Sequence, residues 1–174
     1  MVGTVHEHAG SDRPGDAAAV ERLLGRPPAG SFRVAVRRGG VPVVIENEPW
    51  LEDGTPMPTR FWLVDPAVRA SVSRLESAGG VRRAAAAVDP VELAAAHDRY
   101  AADRARLAAT VARRSGGAPG PVAGGGVGGT RQGVKCLHAH VAWHLAGGDD
   151  PVGAWAADQI GLDVAAFERC GGPS

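Results

Sequence analysis

Aromatic residues are scarce, 5% of 174 positions, so a core has to be assembled mostly from Val and Leu, and each of the four Trp counts for more than usual. Net charge is lacking too. Lys plus Arg and Asp plus Glu both total 19, which speaks against the broad basic surface of a nonspecific nucleic-acid binder. No run approaches the roughly 18 apolar residues of a membrane span, and Met1 to Asp16 is polar and acidic, without the apolar stretch of a secretory signal. The expectation is a cytoplasmic protein whose two cysteines, Cys136 and Cys170, serve as thiols or ligands rather than as a disulfide. There is no internal repeat. Gly at 25 and Pro at 13 positions demand many turns without implying general disorder.

What is present is a change of period along the chain. Residues 1–15 hold His6, His8 and Pro14 without a pattern and are expected to form a flexible arm; residues 16–170 suit a single α+β domain. Ala17 to Leu24, behind Asp16 as N-cap and ahead of Gly25, Pro27 and Pro28, reads as a short helix. Phe32, Val34 and Val36 then alternate with Arg33, Ala35 and Arg37, Gly39 and Gly40 turn the chain, and Val41 to Ile45 returns, which is a β-hairpin. Arg60 to Val64 supplies a third strand.

This small antiparallel sheet is expected to pack against a C-terminal set of four to five helices. Asp65-Pro66, Asp89-Pro90 and Asp150-Pro151 each open one, because Asp accepts the orphan amides at an N-cap and Pro needs no amide at the first helical position. The spacing predicts helices over 66–78, 90–114 and 151–158, with others over 134–146 and 163–169. Residues 115–129 are so rich in Gly and Pro that a mobile loop is expected.

Chemistry concentrates in Gly133 to His144, which holds Cys136, His138, His140 and His144. At about 100° per residue, Val134, Leu137, Val141 and Leu145 share one apolar face with His138, while Cys136, His140, Trp143 and His144 lie opposite. His138 is thus expected in the core and sensitive to substitution, His144 tolerant. Cys136 with His140, or His140 with His144, could share a metal, but the helix offers two ligands, and a third would come from His97, Cys170 or Glu46 without any recognisable spacing. No metal is assigned, and less than stoichiometric zinc or iron is expected. Cys136, in the first turn beside Lys135, is also a candidate nucleophile, since a helix N-terminus and a cation favour thiolate.

Gly124 to Gly129 formally contains GxGxxG, but no hydrophobic strand precedes it, and Lys135 does not sit in a P-loop position. What survives is a glycine-rich approach to a helix N-terminus between Gly129, Arg131 and Lys135, a seat for phosphate or carboxylate. In the long helix, Leu93, His97, Tyr100, Arg104, Leu107 and Val111 follow four- and three-residue steps, so three polar side chains share the inward stripe. They serve either as core hydrogen bonds or as a pocket wall facing the Cys/His helix.

Three segments carry a resemblance: Asp53-Gly54-Thr55-Pro56-Met57-Pro58-Thr59-Arg60-Phe61-Trp62-Leu63, Ala96-His97-Asp98-Arg99-Tyr100, and Val134-Lys135-Cys136-Leu137-His138-Ala139. Together they resemble the actinobacterial domain-of-unknown-function family 501, over roughly residues 17–167. The resemblance implies no established activity. It implies a cytoplasmic housekeeping setting, because genes of this family often lie beside those for enolase, a DivIC-like septum protein and an exopolyphosphatase. It also puts Lys135, Cys136 and His138 ahead of His140 and His144.

The expected function is binding of a small anionic ligand, with phosphate or carboxylate, where the glycine loop meets the Cys/His helix. Arg131, Lys135, Gly129, Tyr100 and Arg104 would form the ligand seat, Cys136, His138 and His97 would be the reactive groups, and catalysis is left open. No cofactor is assigned. The alternative is a noncatalytic interaction module for division or envelope proteins, docking through the hairpin and an exposed Trp50 or Trp155.

Overall fold

The computed structural model describes residues 13–117, 120–122 and 124–171; most of the arm expected at 1–15 lies outside them. The fold is α+β. A four-stranded antiparallel sheet has the order β3-β2-β1-β4, from β1 (Phe32–Arg38), β2 (Val41–Asn47), β3 (Phe61–Leu63) and β4 (Glu168–Arg169). Six α-helices are present among the described residues: α1 (Asp16–Leu24), α2 (Pro66–Ser77), α3 (Gly80–Ala87), α4 (Pro90–Arg114), α5 (Leu137–Leu145) and α6 (Pro151–Gln159). None is long and apolar enough to cross a membrane.

Gly39 and Gly40 both take positive φ, 54° and 82°, which lets a two-residue turn follow the twist of β1 and β2. The simple alternation expected in β1 breaks at a bulge. Phe32 and Val34 pack with Val20 of α1, whereas Ala35 and Val36 both join the larger cluster against α2, α4 and α5. The register shifts between Val34 and Val36 account for this, because an extra residue in a strand turns the following side chains to the other face. The sheet therefore lies between α1 on one face and the other helices on the opposite one.

Each Asp-Pro pair opens its helix as expected. Asp65 accepts from the amides of Ala67 and Val68, Asp89 from Val91 and Glu92, and Asp150 from Val152 and Gly153. Asp16 departs from expectation: Gly15 is the N-cap, and the Asp16 carboxylate instead takes the buried Arg37 guanidinium of β1 at 2.5 Å. Residues 79–89 fall in none of the helical spans the spacing predicts, yet α3 forms there behind Gly79 at φ 79°. The helix expected at 163–169 is a single 3-10 turn at Val164–Ala166 followed by β4, whose backbone pairs with the open edge of β1. An unpaired strand edge thus overrides weak local helix preference.

Helices α5 and α6 approach closely at a glycine. A Cβ on Gly153 would lie 2.5 Å from the His140 carbonyl oxygen and from the His144 Cβ, so only glycine allows this crossing. Gly153→Ala is expected to lower stability by about 1–3 kcal/mol through overpacking, measured as a shift of the urea midpoint at unchanged m value.

Candidate functional site

The Cys/His segment folds differently from its sequence phase. Helix α5 begins at Leu137 rather than near 134, with Cys136 as N-cap in extended backbone and without a side-chain capping bond. Seven of its nine residues are buried, His140 and Trp143 among them. A helix that is apolar nearly all round has no single inward face from which a phase can be read.

The consequence for the histidines is a correction. His140, placed by phase opposite the apolar face, is wholly buried, and its Nδ1–H donates to Asp150 Oδ2 at 2.7 Å. His138, expected in the core, keeps 27% of its side chain exposed and faces a cleft. His144 is half-buried, and burial lowers its pKa. Trp143 is buried edge-on to Tyr100, ring centroids 5.1 Å apart.

The cleft encloses about 350 Å³ between β3 and the start of α5, and its walls include Arg26, Thr59, Trp62, Arg69, Gly128, Cys136 and His138. The Arg26 guanidinium lies over the Trp62 ring at 5.4 Å. On the far side stands one stripe of α2, Arg69, Ser73 and Glu76, at four- and three-residue spacing, and all three touch His138. Its Nε2 lies 3.3 Å from the Arg69 carbonyl oxygen and 3.2 Å from Ser73 Oγ, and its Nδ1 lies 3.2 Å from Glu76 Oε2. Glu76 Oε1 meanwhile accepts the Leu137 amide at 2.6 Å, so a carboxylate from α2 caps the helix that its own N-cap residue leaves uncapped.

Cys136, His138 and Glu76 place one donor atom each within 4.8 Å of one another. Hydrogen bonding with Cys136, then the Glu76 charge, raise the His138 pKa against the opposing effect of burial. Sequence reasoning missed Glu76. Its only signal is the stripe at 69, 73 and 76, beside the buried Val68, Val72 and Leu75.

The glycine loop does meet Cys136: a Cβ on Gly128 would lie 3.7 Å from that of Cys136 and 3.8 Å from that of Lys135. Gly129, Arg131 and Lys135 are exposed, and none of them lines the cleft. The other named candidates lie in the core. His97 Nδ1 accepts the Val127 amide, so its Nε2–H donates to the Gly133 carbonyl at 2.9 Å, pinning the loop expected to be mobile at this end. Tyr100 Oη accepts the Arg60 amide, and Arg104 donates to the Met57 carbonyl. Trp50 and Trp155, expected as exposed docking aromatics, are both half-buried, Trp50 donating to the Pro121 carbonyl and Trp155 packing on the core.

The histidine assignments have measurable consequences. His140→Ala strips a buried carboxylate of its partner and is expected to cost on the order of 2–4 kcal/mol, against less than about 1 for His138→Ala; denaturant melts that ranked them the other way would refute the assignment. Because the folded pKa of His138 is raised, its contribution is fully present below the unfolded value of about 6.5 and disappears as pH rises through the folded one. The stability gap between wild type and His138→Gln is therefore expected to be widest near pH ~6 and to close on the alkaline side, and to stay modest because the site is half exposed. A gap that widened with pH would contradict the raised pKa.

The family model described as "Protein of unknown function (DUF501)" matches residues 34–158, which include every cleft residue except Leu24 and Arg26. No curated protein and no solved structure matches the chain.

Proposed function

The chain belongs to the DUF501 family, whose description carries no activity, and from its own side chains we propose that it binds a small anionic ligand, bearing phosphate or carboxylate, in the cleft between β3 and α5. The observation that carries this reading is a charge imbalance. Arg26 and Arg69 both line the cleft, and neither guanidinium forms an ion pair with a carboxylate among the described residues. Most other arginines packed on the sheet lie against a carboxylate: Arg33 and Arg60 share Glu46, Arg37 has Asp16, and Arg38 has Asp65. A volume of about 350 Å³ falls at the small end of ligand sites, roughly 300–1,000 Å³.

In this reading the guanidiniums hold the anion, the Trp62 and Phe61 rings wall it, and Cys136 with His138 stands at its reacting end, a thiol and an imidazole whose donor atoms lie within 4.8 Å of each other. Lys135, exposed one residue before Cys136, adds attraction at longer range. Arg131 and Gly129 belong to the loop that brings Gly128 to the wall. His97, Tyr100 and Arg104 hold the scaffold.

A thermal-shift series with inorganic phosphate, phosphorylated metabolites and dicarboxylates tests the reading. At least one compound is expected to raise the Tm of the wild type, to lose that effect in Arg69→Ala and to keep part of it in Lys135→Ala. No stabilising compound, or equal shifts in wild type and Arg69→Ala, would overturn it.

A further inference from the structure

We infer that Glu76, Cys136 and His138 form a three-ligand site for a divalent metal of borderline softness, zinc or its cobalt surrogate, with a fourth position open to the cleft. The inference deepens the anion reading, since that open position faces the cavity assigned to the ligand.

The Nε2 of His138 is directed at a carbonyl and a hydroxyl, those of Arg69 and Ser73. A carbonyl only accepts, so this nitrogen carries a proton, and Nδ1 is left directed at Glu76. One carboxylate oxygen of Glu76 is committed to the Leu137 amide, which leaves Oε2 free at 3.2 Å from Nδ1. Two electron-pair donors at that separation need a cation between them. A proton on Nδ1 serves when no metal is bound; a metal would replace it, and would also displace the thiol proton, both protons leaving to solvent.

The separation suits a metal. Bonds of roughly 2.0 Å to nitrogen and oxygen in tetrahedral geometry place those ligands about 3.3 Å apart, against the 3.2 Å seen here. The sulfur lies within 4.8 Å of the other two donors, and rotation of the half-exposed Cys136 side chain is the movement that metal binding would require to complete the set. Each nitrogen and oxygen ligand is already oriented by an outer partner, the arrangement that fixes tautomer and direction in metal sites. A thiolate disfavours magnesium and calcium, and the mixture of sulfur, nitrogen and oxygen favours zinc, cobalt or ferrous iron. Three protein ligands with an accessible fourth position distinguish reactive zinc sites from closed structural ones. The expectation of substoichiometric metal rests on two ligands from the Cys/His segment with His97, Cys170 or Glu46 as outside candidates; the residue that meets Cys136 and His138 is instead Glu76 of α2.

The experiment uses full-length protein stripped with a chelator, returned to phosphate-free buffer and titrated with cobalt. Thiolate-to-cobalt charge transfer and visible ligand-field bands are expected to saturate at one equivalent and to be displaced by zinc. Cys136→Ser should abolish the charge-transfer band. Glu76→Gln, which keeps an oxygen to accept the Leu137 amide, and His138→Ala should each weaken binding by about tenfold or more. Replacing His6 and His8 by Ala should change nothing. Absence of the band in the wild type overturns the inference whatever the variants do. So does a band that survives Cys136→Ser, or one lost with His6 and His8. Neither phosphate nor a carboxylate ligand is present in the titration, so its failure is separate from failure of the anion reading.

Discussion

A nine-residue helix buried on almost every side has to find partners for its polar groups in other parts of the chain, and α5 finds them in two carboxylates. Glu76 accepts the first amide of the helix, and Asp150 receives the imidazole of His140 from within the core. Both carboxylates have a second duty. Asp150 also caps α6, so α5 and α6 are tied through one side chain, and Gly153 lets their backbones approach at that point. Glu76 also reaches His138, so the bond that starts the helix fixes the group that faces the cleft. Because an unpaired buried polar group costs roughly 1–3 kcal/mol, neither carboxylate can be removed without disturbing the placement of α5.

The parts of the fold that depend on local chemistry were legible in the sequence. An Asp followed by Pro states both the acceptor and the missing amide of a helix start, and all three such pairs begin helices. The Gly39-Gly40 turn and the strand spans around it were legible for the same reason. In α4 the inward stripe holds through Leu93, His97, Tyr100 and Arg104, then passes to Ala108 and Ala112 rather than Leu107 and Val111. Such drift follows from a helical period of 3.6 rather than 3.5. What the sequence hid was non-local. The bulge in β1 and the pairing of β4 depend on strand register, and Asp16 was claimed by Arg37 across 21 residues.

The site divides in the same way. Cys136 and His138 are neighbours in sequence and remain neighbours in space, joined by the glycine loop that approaches them. Glu76 lies 61 residues before the amide it caps, and nothing in its own segment marks that meeting. The phase error at His138 and His140 has a related origin. With Leu137, Ala139, Val141, Ala142 and Leu145 all buried, periodicity carries little directional information, and the deciding facts are which elements lie on either side. Helix α6 brings Asp150 to one histidine and α2 brings Glu76 to the other.

The two histidines thus put one helix to two uses. His140, cut off from water and bound to a carboxylate that also holds an adjacent helix, is fixed by the core, and its loss would be felt as instability. His138, two residues away, turns toward the cleft, lies beside a thiol and a carboxylate, and stands across from guanidiniums that no carboxylate neutralises. Leaving Arg26 and Arg69 unpaired while Arg33, Arg37, Arg38 and Arg60 each meet a carboxylate carries an electrostatic cost, small where solvent screens it and larger toward the floor of the cleft. An anion bound there as proposed would relieve that cost, and a cation held among Glu76, Cys136 and His138 would relieve the opposing one between the crowded donors. The two binding events would therefore favour each other, because each supplies the charge that the other side of the cleft lacks.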